Sequence, residues 1–168
     1  VRSSAASDVY KRQNVKLTNS KPDAGYPYEG PVEHLPRNIS PASIIGLPED
    51  RIQGINTKNI DIESPGGGNP FYAKCGLTAK ELEGIPEMRT AYPEFSQFKE
   101  LPAWGIFIRH ADDIRLDNVK LKVHSFDYRP AIVTSDVKGV MLERVDIQPT
   151  PNDKREQFFM YQTFNVTK

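Results

Sequence analysis

Ile106-Phe107-Ile108-Arg109-His110-Ala111-Asp112-Asp113-Ile114-Arg115-Leu116-Asp117-Asn118-Val119-Lys120-Leu121 has a second copy 26 positions on: Ile132-Val133-Thr134-Ser135-Asp136-Val137-Lys138-Gly139-Val140-Met141-Leu142-Glu143-Arg144-Val145-Asp146-Ile147. The shift places Ile106 on Ile132, Ala111 on Val137, Ile114 on Val140, Leu116 on Leu142, Val119 on Val145 and Leu121 on Ile147. Apolar meets apolar at each place. A fixed shift of roughly 20–50 residues marks a stacked repeat. Within each copy, short segments such as Ile114-Arg115-Leu116 and Val119-Lys120-Leu121 alternate in polarity and are rich in β-branched residues, which reads as half-buried strand. The connections lack Asn-Gly and Asp-Gly, so hairpins are not indicated. Strands this short gain stability by stacking copy on copy, with apolar residues in continuous interior columns. The expected fold is all-β, a parallel β-helix of about four coils with long inserted loops.

Working outward, Asn14-Val15-Lys16-Leu17 and Asn59-Ile60-Asp61-Ile62 match Asn118-Val119-Lys120-Leu121. A shift of 59 extends the second match back to Ile55 on Ile114. Ser43-Ile44-Ile45-Gly46-Leu47 resembles the opening of the other copies more loosely. Asn14, Asn59 and Asn118 share one position. Asparagine tolerates the left-handed backbone region, and stacked amides can hydrogen-bond from coil to coil. Arg144 stands at this position in the last full copy, where the ladder should stop. At the end, Thr163 and Val166 lie 29 positions after Thr134 and Val137, which predicts one more coil or a cap.

Two insertions interrupt the ladder, residues 19–41 and 64–102. The first is rich in Pro, Gly and Tyr and reads as an ordered loop. The second opens on Pro65-Gly66-Gly67-Gly68 and contains Thr78-Ala79-Lys80-Glu81, a capping-box start to a short helix. Loops longer than about 15 residues are usually functional or disordered, and their aromatic content argues against disorder. Ser3-Ser4-Ala5-Ala6-Ser7-Asp8-Val9-Tyr10-Lys11-Arg12-Gln13 is similar to the translation of a common sequencing adapter. Residues 1–13 are therefore set apart as adapter-derived and disordered. Residues 14–168 are assigned to the late coils of one β-helix domain, with the natural N-terminus and any signal peptide expected upstream.

The 168 residues carry 22 basic and 22 acidic side chains. That balance argues against a nucleic-acid partner. No apolar run approaches the roughly 20 residues of a membrane helix. Cys75, the single cysteine, leaves no internal disulfide, and no cofactor or metal is indicated. His34 and His124 have no neighbours at metal-ligand spacing.

Tyr92-Pro93-Glu94-Phe95-Ser96-Gln97-Phe98, Leu101-Pro102-Ala103-Trp104-Gly105, Arg109-His110 and Asp127-Tyr128-Arg129-Pro130-Ala131, with the earlier Ile39-Ser40-Pro41-Ala42-Ser43-Ile44-Ile45-Gly46-Leu47-Pro48, resemble glycoside hydrolase family 28, the polygalacturonase-like proteins, and within it the Bacteroidetes-type members. The resemblance implies a right-handed β-helix, inverting hydrolysis of galacturonosyl linkages, a pectic polysaccharide or oligogalacturonide as substrate, and an extracytoplasmic location. Inversion needs one carboxylic acid to protonate the leaving oxygen and an opposed carboxylate to activate water. The family supplies them from Asn-Thr-Asp and Asp-Asp, with Gly-His-Gly and Arg-Ile-Lys following. Here Asn56-Thr57-Lys58 has lysine third, and neither later motif occurs. Asp112-Asp113 aligns with Lys138-Gly139 of the repeat, which gives it the reading of a solvated turn.

The catalytic set is therefore expected upstream, and none is assigned in this chain. Arg109 and His110 have two readings. They could bind a sugar carboxylate near the loops, with Tyr92 and Glu94 beside them, since Arg grips carboxylates through two parallel hydrogen bonds. Alternatively they anchor the second insertion, through Glu94. Tyr26, Tyr28, Tyr92, Phe95 and Phe98 could stack on sugar rings or simply pack their loops. Asn38-Ile39-Ser40 and Asn165-Val166-Thr167 fit the glycosylation pattern, which is frequent by chance. A non-catalytic glycan-binding or surface β-helix is the alternative function. A β-helix lyase or epimerase would need Ca²⁺ or basic residues at the substrate, and no acidic calcium cluster stands in the sequence.

Overall fold

The computed structural model describes residues 11–18, 41–67, 76–90, 98 and 101–168. Seven strands form one parallel sheet: β1 (Lys11–Thr18), β2 (Ala42–Ile45), β3 (Ile52–Gln53), β4 (Asn56–Ser64), β5 (Ile106–Val123), β6 (Ile132–Gln148) and β7 (Phe158–Thr167). The order is β1-β4-β5-β6-β7, with β2 and β3 also pairing to β5. The one helix described is α1 (Ala79–Glu83). The chain is all-β with a parallel sheet, as the alternation of short apolar segments predicts.

Register follows the repeat. Ile106 pairs with Ile132, Ala111 with Val137, Ile114 with Val140 and Val119 with Val145. The older copy keeps its offset too: Ile60 pairs with Val119 and Ile62 with Leu121. Two expectations change. β7 continues the 26-residue spacing, with Val137 opposite Thr163 and Val140 opposite Val166, rather than the 29 read from the Thr and Val matches. The 29-residue relation survives only as a diagonal contact, Thr134 Oγ1 to Thr163 Oγ1 at 2.8 Å. It satisfies the hydroxyl of the buried Thr134. Second, β1 begins at Lys11, so Lys11, Arg12 and Gln13 pair with Asn56, Thr57 and Lys58 instead of remaining outside the fold. Residues 1–10 and the insertion residues 19–40 lie outside the described residues.

One feature of the backbone lets strands of 18 and 17 residues line a single interior. In a flat strand, inward side chains recur every second residue, and a one-residue slip sends them to the other face. In β5 the buried interior residues are Ile106, Ile108, Ala111, Ile114, Leu116, Val119, Leu121 and Val123. The step is three at Ile108–Ala111, Ala111–Ile114 and Leu116–Val119. Each longer step contains one residue with positive φ: His110, Asp113 and Asn118. A left-handed residue redirects the chain and resets the alternation, so the inward face stays inward. β6 repeats the device at Asp136, Gly139 and Arg144, and β7 at Gln162 and Asn165.

The asparagine column is one of these corners. Asn59 (φ 57) and Asn118 (φ 53) stack, and Asn118 Nδ2 donates to Asn59 Oδ1 at 2.6 Å. Arg144 takes the same left-handed conformation (φ 52) without an amide to offer, and its guanidinium reaches Asp117 instead. The ladder stops where the sequence said it would.

The loose match around Ser43 also has a cause. Ile45 pairs with Arg109, whereas Ile52 pairs with Ala111. Five extra residues are therefore accommodated in a hump closed by an antiparallel bridge between Leu47 and Asp50. Gly46 starts it. A Cβ there would sit 2.4 Å from the His110 carbonyl, so only glycine fits beside that strand.

A second apolar cluster lies on the outside of the sheet. Leu82, Ile85, Leu101 and Ala103 cover Phe107 and Val133, with Phe98, Phe159 and Tyr161 at its margin. Residues 106–111 are consequently buried on both faces. The expected capping box is present: Thr78 Oγ1 accepts from the Glu81 amide, and the Glu81 carboxylate accepts from the Thr78 amide.

Candidate functional site

The outer apolar cluster delivers residues 85–90 onto the first left-handed corner, where Arg109 and His110 end the first segment of β5. Arg109 is 4% exposed and His110 7%. Arg109 Nη1 donates to the Ile85 carbonyl at 2.7 Å, and its Nη2 stands 2.8 Å from Glu87 Oε1. His110 Nε2 lies 3.0 Å from the same Glu87 oxygen, while Nδ1 lies 2.7 Å from Asp136 Oδ2. Asp136 is the next residue of the corner column, 26 positions on.

Arg51, at the end of the hump, closes the other side. Nε and Nη2 grip Asp112 in a two-pronged pair at 3.0 and 2.7 Å, and Nη2 also donates to the Asp136 carbonyl. Its Nη1 pairs with Asp136 Oδ2. The Asp112 bonds raise the Arg51 pKa further against the opposing effect of burial. Burial pushes Asp136 upward, but His110 and Arg51 outweigh it, and its pKa ends below the usual aspartate value. The result is a chain of polar contacts, Glu87–His110–Asp136–Arg51–Asp112, with Arg109 sharing Glu87. A surface pair, Arg89 with Glu49, lies beyond it at 2.6 Å.

Arg109 and His110 do hold the second insertion, and they do so through Glu87 and the Ile85 carbonyl. Glu94 and Tyr92, expected beside them, lie outside the described residues, as do Tyr26, Tyr28, Phe95, His34, Asn38 and Cys75. Phe98 packs against the outer cluster. Asp112 and Asp113, expected to share a solvated turn, part company. Asp112 is drawn inward by Arg51, and Asp113 is exposed and left-handed. Repeat alignment could not separate them, because the hump that carries Arg51 has no counterpart in the later copies.

Other expected residues are plain in place. His124 is exposed and pairs with Glu63 at 3.0 Å. Asn165 is exposed at its corner. A shallow groove of about 260 Å³ runs along the second corner column, past Asp113, Arg115, Gly139, Met141 and Asn165; neither Arg109 nor His110 lines it. Among the described residues no group of three or more His, Cys, Asp and Glu side chains could hold a metal ion. Among them, too, no helix is long and apolar enough to cross a membrane.

The sequence reading missed a second repeated element. Asp127-Tyr128-Arg129 recurs 26 positions later as Asp153-Lys154-Arg155. In both, the arginine folds back on its own aspartate: Arg129 Nη2 lies 2.8 Å from Asp127 Oδ2 and Arg155 Nη2 2.6 Å from Asp153 Oδ2. Each then donates to the previous connection. Arg129 bonds the Leu101 carbonyl, and Arg155 bonds the Tyr128 and Asp127 carbonyls. The Asp-x-Arg spacing was the available signal, and it lay outside the apolar columns that define the repeat.

No family model, no curated protein and no solved structure matches this chain.

Proposed function

We propose that the chain forms late coils of a right-handed parallel β-helix from a polygalacturonase-like pectin-degrading hydrolase, and that the catalytic carboxylates belong to coils preceding these. The observation that carries the solenoid reading is the reset of interior phase at each left-handed corner, repeated in register from β5 to β7. The motifs around Trp104, Arg109 and Asp127 supply the family likeness, and through it a pectic substrate and an extracytoplasmic location.

The site chemistry is consistent with a scaffold role. Inverting hydrolysis needs two opposed carboxyl groups free to exchange protons, with room for a water between them. Glu87, Asp136 and Asp112 are instead engaged with Arg and His partners. The test is release of reducing ends from polygalacturonate. The chain alone is expected to release none, whereas the product of the uninterrupted reading frame is expected to be active. Hydrolysis by the chain alone at a rate near that of the longer product sinks the proposal.

A non-catalytic glycan-binding β-helix is the second reading. The open groove beside Asp113, Arg115 and Asn165 favours it. Binding of oligogalacturonides by an uninterrupted product that has no hydrolase activity would select it.

A further inference from the structure

His110 joins three separate parts of the fold: its own strand β5, the β6 corner at Asp136, and the strap of residues 76–90 at Glu87. Both ring nitrogens face carboxylate oxygens. A neutral imidazole has one N–H and one lone pair, so it can donate to only one of them. Both contacts are hydrogen bonds only while the ring carries two N–H groups.

From this geometry we infer that His110 is a protonation-dependent latch on the strap, closed while the imidazole is doubly protonated and loosened when it loses a proton. The inference does not depend on the proposed activity.

The direction of loosening follows from the partners. Charged and titratable groups around the ring, among the described residues, are Glu87 and Arg89 from the strap, Asp136 from β6, Arg51 and Glu49 from the hump, and Arg109 and Asp112 on its own strand. Asp136 keeps Arg51 whatever the ring does. Glu87 is less well held. Its Oε2 is buried without a hydrogen-bond partner, and its Oε1 depends on Arg109 and His110. The shorter ring contact is to Asp136, so a single remaining proton stays on Nδ1. The Nε2 lone pair then opposes the Glu87 carboxylate at 3.0 Å. Repulsion there acts on the strap. It does not act on the sheet, because β5 and β6 are held by their ladder of backbone bonds. Release of the strap uncovers the outer apolar stripe of Phe107 and Val133.

Amide hydrogen exchange across residues 82–89 of the whole chain, corrected for intrinsic rates, reads the latch. Protection is expected to fall roughly five- to ten-fold between about pH 5 and about pH 8. Glu87→Gln should flatten that dependence, because it removes the carboxylate charge that the lone pair of a neutral ring would oppose. His124→Gln, which removes an exposed histidine outside the cluster, should leave it intact. A pH-independent strap, or equal pH dependence in Glu87→Gln, overturns the inference. Nuclear magnetic resonance gives an independent arm that needs no variant. The His110 ring nitrogens and the strap amides should titrate with one midpoint, and separate midpoints contradict the latch.

Discussion

Asn118 shows how much a single corner residue carries. It occupies a left-handed conformation that costs most side chains roughly 1 kcal/mol or more, and it donates the amide bond that ties β5 to β4 at Asn59. Asn118→Ala should lose both and destabilise the chain by about 1–2 kcal/mol. Asn118→Gly loses only the bond and should fall between Ala and the natural residue. Urea denaturation midpoints check the order; alanine as stable as glycine would remove backbone conformation from the account. The asparagine corner was legible in the sequence because three copies share the residue. The corners at His110, Asp136 and Gln162 were not, because three different side chains occupy one conformation. What they have in common is backbone geometry, which no residue type announced.

The connections after β5 and β6 repeat as well, and the two Asp-x-Arg clamps are their recurring unit. In the second clamp, the Arg155 guanidinium beside Asp153 holds that carboxyl well down, from 3.8 to about 2. The sign follows from linkage. A carboxylate with a lowered folded pKa contributes stability that is present above its unfolded value and is lost as pH falls through the folded one. The contribution should therefore be full above pH 3.8 and disappear toward about pH 2. Arg155 is 43% exposed, so solvent screening limits the effect to about 1 kcal/mol. Asp153→Asn should flatten the acid limb of the stability curve by that amount and change it little near neutrality beyond a constant offset. An acid limb identical to that of the natural chain would mean the clamp contributes nothing through its charge.

Strand existence and pairing were readable from apolar columns, because the buried positions of paired strands must stay apolar from one strand to the next. The capping box of α1 was readable for a similar reason: Thr78 and Glu81 are needed at that spacing. Three things were not. The hump between Ile45 and Ile52 occurs in one copy only, and with it came Arg51 and the true partner of Asp112. The contact that holds the second insertion involves Glu87, which has no motif around it. The final offset was misread because Thr134 and Thr163 do touch, but diagonally across the corner and not in register.

At the scale of the whole molecule, alternating charge follows the columns. Lys16, Asp61, Lys120 and Asp146 stand opposite one another across β1, β4, β5 and β6. Opposite signs on these facing positions favour this register. Charge, apolar interior and left-handed corners therefore specify the same alignment. That agreement between independent features is the mark of a sequence that encodes one stacking. The proposed activity depends on this stacking, since the loops are placed only if the strands beneath them are in order.

Disulfide trapping tests the 26-residue stacking most directly. Neighbouring strands lie about 4.8 Å apart, within the roughly 4.4–6.8 Å that a disulfide spans between Cα atoms. Arg115 and Met141 face each other in register, and both are exposed. In a Cys75→Ser background, Arg115→Cys with Met141→Cys should close rapidly under mild oxidation. Arg115→Cys with Arg144→Cys, displaced by a further three residues or roughly 10 Å along the strand, should not. Closure of the first pair alone is the predicted result; closure of the second in preference to the first would contradict the stacking on which the account rests.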